Sequence, residues 1–182
     1  MKKSIRVPIS LKERLWDIAF IIFFIINLFF VTYIVDLETL VIDNPKKFSY
    51  PGWPPKVMVD LVHWWGNTFD PVLLARPVWW RATIWLDVIL FGPYYVFALY
   101  AFVHGRDWIR VPSLVYAGIL FANVVIIMME EMIGLHKTHN RVMVWIANFP
   151  WLLFPVLIVM RLMSNNHPFT RKEKIESTKK AD

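Results

Sequence analysis

Asp87 is the residue best placed to do chemistry, because it lies in a segment that otherwise suits lipid. Residues 84–103 are largely apolar and are long enough to cross a bilayer as a helix. A carboxylate within such a span costs about 2.5–3.5 kcal/mol on insertion scales. It persists where it faces a protein interior, meets a partner or keeps a proton. Asp87 is therefore a candidate site residue, suited to binding a cation or moving a proton.

A second candidate, Asp36, lies at the outer end of the first apolar segment. Its plain interpretation is an interfacial carboxylate that ends a helix, and the sequence leaves this open. Beside Asp87 it has more chemistry, since two carboxyl groups in a poorly hydrated site cannot both ionise at low cost. The ionised member can bind an ammonium group or a carbocation. The protonated member can donate a hydrogen bond or act as a general acid.

Asn148 and Trp151 add polar and aromatic groups to the same region. They are three residues apart, so they share a face of the fourth apolar segment. Pro93 in the second segment and Pro150 and Pro155 in the fourth each remove a backbone donor, and the kinks we expect leave voids at mid-membrane. A Trp beside the acids offers a wall that attracts cations. The alternatives are an interhelical hydrogen bond for the Asn and simple packing for the Trp.

The third apolar segment contributes Asn123 and ends at Glu130 and Glu131. We expect one of these acids to face water and the other to turn inward as a third acid. The histidines lack the spacing of metal ligands, and the chain has no cysteine. Phosphate-binding, nucleophile-elbow and dinucleotide motifs are also absent from the sequence. The sequence therefore predicts no metal site and no cofactor.

Four apolar segments must position these side chains. The chain has 182 residues, 57% of them hydrophobic, and a mean hydropathy of +0.46. Each segment is near the length of about 20 residues that spans a membrane. The sequence predicts an all-α membrane protein, a four-transmembrane-helix bundle with kinked helices. Its spans are residues 18–35, 84–103, 111–129 and 142–160.

Basic residues crowd both ends of the chain and the turn between the second and third spans. An even number of spans places all three on one side, which the positive-inside rule makes the cytosol. The pI near 9.6 thus describes tails and indicates no nucleic-acid partner. We expect a cytosolic tail at 1–14, a transmembrane domain at 15–163 and a basic tail at 164–182.

Lys179 and Lys180, near the C-terminus, fit a dilysine signal that returns membrane proteins to the endoplasmic reticulum. The alternative is a solvated basic tail.

The lumenal loop at 37–80 predicts one more element. Its start is rich in proline, and the following segment places Val57, Leu61, Trp64 and Trp65 near one face at helical spacing. This pattern indicates a short helix that lies in the membrane interface. Plugging the mouth of the bundle is an equally reasonable role.

The chain resembles the EXPERA-domain family of four-span membrane proteins, and within it the sigma-2 receptor branch most of all. The resemblance runs over residues 36–155. Short motifs carry it, and they are listed in chain order: Asp70-Pro71-Val72-Leu73, Asp87 with Pro93, Leu99-Tyr100-Ala101-Phe102, and Trp108-Ile109-Arg110 followed by Pro112 and Tyr116.

This resemblance implies a bundle in the endoplasmic reticulum membrane with a cavity for a sterol or an amine. Asp36 matches the acid that binds the cationic amine, and Asp87 matches a protonated acid that hydrogen-bonds to it. Asp70 matches an acid that holds the lumenal loop, so it is expected to be structural, as are Pro93 and Pro155. A homodimer is also implied.

A partial likeness joins the chain to the emopamil-binding proteins, which are sterol double-bond isomerases. Asn148, Trp151 and Pro155 match their pattern of Asn, Trp three later and Pro four after that, and Glu130 or Glu131 matches a further acid. Those enzymes carry a His one turn before the first acid, where this chain has Thr32. That departure weighs against catalysis.

Three functions compete on these grounds. The leading hypothesis is a non-enzymatic protein that binds sterols, oxysterols or cationic amphiphiles and serves sterol homeostasis, with a sterol transporter as a partner. The second is a sterol double-bond isomerase or a related cyclase, and the third is a trafficking adaptor with a vestigial cavity. The ligand-binding residues predicted are Asp36, Asp87, Asn123, Glu130, Asn148 and Trp151; an enzyme would use Asp36, Asp87, Asn148 and Trp151.

Overall fold

The computed structural model of the protein describes residues 5–173 and contains four long helices. They are α1 (Leu15–Val41), α4 (Val78–His104), α5 (Asp107–Ile133) and α6 (Arg141–Met163), and all four are long and apolar enough to cross a membrane. Two short helices, α2 (Lys56–Thr68) and α3 (Pro71–Ala75), lie between α1 and α4. The strands β1 (Arg6–Pro8) and β2 (Thr170–Lys172) pair antiparallel. The predicted four-span all-α membrane bundle is confirmed.

The spans are longer than their most apolar stretches. α1 continues six residues past residue 35, and α4 begins six residues before residue 84. The first turns of α4 contain Trp79, Trp80 and Arg81, which lower the mean hydropathy without disfavouring helix. Hydropathy therefore located the centre of each span, while side chains suited to the membrane interface extend its ends.

Both α1 and α4 contain π-helical stretches, at Asn27–Asp36 and Asp87–Phe91. Such stretches are rare and are frequent at functional sites. The one in α4 ends just before Pro93, which has no N–H to give to the carbonyl one turn back. In α6, the helix runs without interruption through Pro150 and Pro155. The predicted disturbance of the second span thus takes the form of a widened turn that begins at Asp87.

An aromatic core fills the half of the bundle nearer the chain termini. Phe24 packs edge-on against Phe102 with ring centroids 5.2 Å apart, and Phe23 stacks on Phe154 at 4.3 Å. Phe24 and Phe102 are fully buried. This half, which we call the terminal end, leaves little room for a ligand because the rings interdigitate.

Part of each terminal tail is ordered at the terminal end. β1 and β2 place Val7 opposite Arg171. Phe169, just before β2, is fully buried beneath the guanidinium groups of Arg14 and Arg161, which lie 5.2 and 5.5 Å from its ring centre. Lys179 and Lys180 lie outside the described residues.

The opposite end, which we call the loop end, is closed by α2 and α3. The face of α2 that carries Val57, Leu61 and Trp64 is exposed, while Val59 and Val62 on another face are buried. Trp65 and Leu61 border the cavity described below. The helix therefore has an outward apolar face suited to the membrane interface and also covers the mouth of the bundle, so the two predicted roles are compatible.

A buried ion cluster fastens the loop end to α1. Arg76 donates two hydrogen bonds from one nitrogen to the Glu38 carboxylate, at 2.8 and 2.7 Å, and a further one to the carbonyl of Ile42. His63 contacts the same carboxylate at 2.7 Å. Asp70 begins α3, where it accepts a hydrogen bond from the backbone N–H of Leu73 at 3.1 Å.

Candidate functional site

A cavity of about 390 Å³ lies in the loop-end half of the bundle. Sites for small molecules typically measure about 300–1,000 Å³ and are lined mainly by apolar groups with a few polar ones. This cavity fits that description, with walls from all four spans and from α2. Its polar and indole side chains are Asp36, Trp65, Asp70, Trp80, Thr83, Asp87, Asn123, Asn148 and Trp151.

Asp36 and Asp87 meet at the wall of this cavity. Their carboxyl groups are close enough to interact directly. Asp36 is 4% exposed, and its Oδ2 has no donor group within residues 5–173. Each acid sits at one end of a π-helical stretch, where the helix is wider than usual. The structure thus brings together the two acids that were 51 positions apart in the sequence.

Thr32 fixes the position of Asp87. Its hydroxyl, fully buried, donates a hydrogen bond to Asp87 Oδ1 at 2.5 Å. A Cβ atom at Gly92 would lie 3.2 Å from the Thr32 methyl group. The absence of a side chain at Gly92 therefore lets α1 and α4 approach closely at the acid pair. A hydroxyl group on α1 thus donates to the carboxyl group of Asp87 on α4 and holds it in place.

Trp151 is held against the cavity by Asn27, a residue that sequence reasoning missed. The indole N–H donates to Asn27 Oδ1 at 2.8 Å, and the Tyr95 hydroxyl donates to the same atom at 3.3 Å. Asn27 is fully buried and its own amide donates to the carbonyl of Phe23. A lone amide in an apolar span was the available signal, since such groups join helices.

Asn123 and Asn148 also border the cavity, on α5 and α6. The Asn148 amide donates to the carbonyl of Val144, one turn back on its own helix, at 3.0 Å. Within residues 5–173 this bond inside α6 is the side-chain hydrogen bond that Asn148 makes, in place of the interhelical one considered above.

Glu130 and Glu131 take opposite directions. Glu130 accepts hydrogen bonds from the backbone N–H and the ring of His136, both at 2.8 Å, and does not border the cavity. Its predicted place among the ligand contacts is thus not supported by its position, because residue 130 faces the α5–α6 turn. Glu131 is fully buried and lies within reach of Asp70. Asp70 serves both as the cap of α3 and as part of the cavity wall.

Within residues 5–173, no three His, Asp or Glu side chains are grouped so as to hold a metal ion. The acids at the cavity wall are Asp36 and Asp87, which form one carboxyl pair, and Asp70, which forms a second pair with the buried Glu131, a residue that is not part of the wall. A carboxyl pair of this kind is arranged to hold a proton or to meet a single cationic or hydrogen-bond donor group.

Comparison with known proteins identifies the family. Residues 57–162 match the family described as EXPERA (EXPanded EBP superfamily). The chain belongs to this family. It is 26% identical to sigma intracellular receptor 2 of Xenopus tropicalis over 144 residues, which cover 73% of this chain and 80% of that protein.

The sigma intracellular receptor 2 proteins of Homo sapiens and Macaca fascicularis are each 25% identical over 130 residues, covering 63% of this chain and 74% of theirs. The predicted resemblance to the EXPERA family and its sigma-2 branch is confirmed. The EXPERA match begins after α1. Asp36 and Thr32 therefore lie outside the matched segment, whereas Asp87 lies within it.

Proposed function

We propose that this protein binds a sterol, an oxysterol or a cationic amphiphile inside the membrane, with its polar group at Asp36 and Asp87. One observation carries the proposal. Two carboxyl groups meet at the wall of an apolar cavity, and no Lys or Arg contact to either is found in the described part of the chain. Buried acids are normally paired with a cation. Here a ligand supplies that partner.

The chemistry of recognition follows from the pair. Two neighbouring carboxyl groups in a poorly hydrated site ionise together only at high cost, so we expect the pair to share one proton and to carry one negative charge. In a poorly hydrated cavity that charge strongly attracts an ammonium group. A sterol hydroxyl is a weaker ligand that donates to the same oxygen. Trp151 provides an aromatic face for the cation, and Asn123 and Asn148 provide amide groups for a second polar group.

The name of the relatives, sigma intracellular receptor 2, supports a receptor role on an internal membrane. We extend this to residence in the endoplasmic reticulum with both termini cytosolic, retrieval through Lys179 and Lys180, and a role in sterol homeostasis. Transfer of the lipid to or from a sterol transporter, and assembly as a homodimer, complete the proposal.

Binding of dodecylamine to the full chain in lipid nanodiscs tests the proposal. We expect Asp36→Asn to weaken binding by at least about tenfold, because the amide removes the charge and keeps the shape. Asp43→Asn is the matched control, since Asp43 is exposed at the loop end and pairs with Arg81. Equal affinities for wild type, Asp36→Asn and Asp87→Asn would overturn the proposal.

A second function, sterol double-bond isomerisation, is favoured by one observation: Asn148 and Trp151 share the cavity with both acids. An isomerase protonates an alkene and removes a proton elsewhere, so it needs an acid and a base that exchange protons. Expression in cells that lack sterol isomerase decides between the two. We expect no rescue; rescue by wild type that is lost with Asp87→Ala would establish the enzyme.

A further inference from the structure

Trp151 borders the cavity with its one polar group already bound inside the protein. The indole N–H donates to Asn27 Oδ1 on α1 at 2.8 Å. The Trp151 side chain is half-buried, so part of its surface is open to the cavity or its surroundings. An indole has a single donor and no acceptor. Any part of Trp151 that meets a ligand is therefore aromatic carbon.

Asn27 is itself held in place from two sides. It is fully buried, and its amide nitrogen donates to the carbonyl of Phe23 at 2.7 Å. Its Oδ1 also accepts the Tyr95 hydroxyl at 3.3 Å, and the Tyr95 oxygen accepts the Tyr116 hydroxyl at 3.2 Å. Side chains from all four spans thus meet in one hydrogen-bonded chain that ends at Trp151. Such a network fixes the direction of each member, because turning one away leaves a buried polar group unpaired.

The position of Asn27 links this network to the acid pair. Asn27 and Asp36 are the first and last residues of the π-helical stretch in α1, so one stretch carries the acid and the support of the Trp. A second buried hydrogen bond of the same core, from the Tyr94 hydroxyl to Ser113 Oγ at 2.9 Å, joins two residues that do not border the cavity. Of these two interhelical contacts, the one at Asn27 reaches the cavity wall.

We propose that Asn27 is a positioning residue of the binding site, which holds the Trp151 indole so that the ligand meets ring carbons and no hydrogen-bond donor. The inference rests on the proposed function, because the ligand is the one that Asp36 binds. It also narrows the ligand. The group that lies against Trp151 is hydrocarbon or an ammonium, both of which an aromatic ring accommodates, whereas a carbonyl or ether oxygen finds no donor there.

A double-mutant cycle on dodecylamine binding, with the full chain in lipid nanodiscs, tests this inference. Asn27→Leu removes the acceptor and nearly keeps the side-chain volume, so it frees the indole to turn. We expect it to weaken binding on the order of fivefold. Trp151→Phe removes the N–H, so adding Asn27→Leu to it should change the affinity by less than about twofold. Asn27→Ala removes the same acceptor without bulk and should give the same pattern.

Ser113→Ala is the matched control, since it breaks a buried hydrogen bond of the same core away from the cavity wall. We expect it to leave the affinity unchanged, and thermal melting checks the fold of every variant. Indole N–H spectra of tryptophan-labelled protein report the contact itself. The Trp151 resonance, assigned by its loss in Trp151→Phe, should move upfield in Asn27→Leu, because the proton loses its acceptor, and stay in place in Ser113→Ala.

Three results would overturn the inference. Equal weakening by Asn27→Leu in the wild type and in Trp151→Phe would show that Asn27 acts on the fold and not through Trp151. An unchanged affinity in Asn27→Leu, or an unmoved Trp151 resonance, would leave Asn27 without this role. If Asp36→Asn still removes dodecylamine binding in those cases, the proposed function stands and only the inference fails. If Asp36→Asn has no effect on binding, both fail.

Discussion

Asp17 and Asp36 are buried acids on the same helix, yet their surroundings are opposite. Asp17, at the terminal end, receives hydrogen bonds from Arg14 and from Arg161, the latter at 3.0 and 3.3 Å. Among the described residues, the charged group beside Asp36 is another acid, Asp87. Both side chains are shielded from solvent, at 0% and 4% exposed. Burial alone therefore does not separate a structural acid from a ligand-binding one; the identity of the partner does.

Glu38 sharpens the contrast, because it lies only two residues from Asp36. Two residues turn a helix by about 200°, so the two acids point to nearly opposite sides. Glu38 points toward the loop end and pairs with Arg76 and His63, while Asp36 points into the cavity. One short stretch of α1 thus both fastens the loop and provides the ligand contact. Proteins give up stability at functional sites in this way and recover it nearby.

The largest expected effect comes from breaking the Glu38 pair. Arg76→Met should lower the free energy of unfolding by about 3–5 kcal/mol, because it leaves a fully buried carboxylate without its cation. Arg81→Met, which removes an exposed partner of Asp43, should cost at most about 1 kcal/mol. Chemical unfolding in detergent micelles measures both. Equal losses of unfolding free energy for the two variants would show that the buried pair of Arg76 and Glu38 stabilises the protein no more than an exposed pair.

The next largest loss of stability is expected for a variant at the terminal end. Asp17→Asn should lower the free energy of unfolding by about 2–3 kcal/mol, because two arginines lose a charged hydrogen-bond acceptor. Ligand binding should stay as in wild type, since the cavity lies in the other half of the bundle. Glu13→Gln is the control, because Glu13 forms an exposed pair with Arg171. A loss of dodecylamine binding by Asp17→Asn would contradict this, because it would show that the terminal end and the cavity are energetically coupled.

Asp36→Asn should not lower the free energy of unfolding, in contrast to Asp17→Asn. Replacing an acid that has no cation partner should leave the free energy of unfolding unchanged or raise it by up to about 2 kcal/mol. Glu38→Gln, two residues away, should instead destabilise the protein. Melting temperatures of the two variants without ligand make the comparison. Destabilisation by Asp36→Asn of the same size as by Glu38→Gln would mean that Asp36 is a structural acid.

The smallest effect concerns the support of Asp87. Thr32→Val keeps the side-chain volume and removes the hydroxyl that donates to Asp87, so it should destabilise the protein by about 1 kcal/mol. Thr39→Val should have less effect, since the Thr39 hydroxyl donates to Val35 O, a backbone carbonyl on its own helix. Unfolding curves measure both. The reverse order would show that the contact at Asp87 contributes nothing to stability.

Hydropathy and the types of single residues were enough to predict the four spans and one of the two acids of the site. The four spans follow from the need to satisfy every backbone group within lipid, which leaves little freedom in how the chain can fold. Asp87 was identifiable because an acid in an apolar segment is conspicuous. Glu130 and Glu131 show the limit: one of the two had to turn inward, and nothing in the pattern of single residues says which.

Other parts of the site had no signal strong enough to stand out. Asn27 and Tyr95 look ordinary in the sequence, where an amide can join helices and a Tyr can pack or lie at the interface. Their roles depend on which groups meet across helices, since Asn27 accepts hydrogen bonds from both Trp151 and Tyr95. The π-helical stretches at both acids were also not foreseen, because they depend on how α1 and α4 pack.

The sequence by itself determined that this chain crosses a membrane four times and that its apolar spans contain acids in need of partners. Composition and hydropathy suffice for that, since they report the solvent that each residue prefers. Only the tertiary structure decided which acid meets which group. Asp17 and Glu38 receive arginines, whereas Asp36 receives Asp87. The physical reason is that the interaction of buried charges depends on distances and directions between helices. The order of residues along one helix does not give those distances.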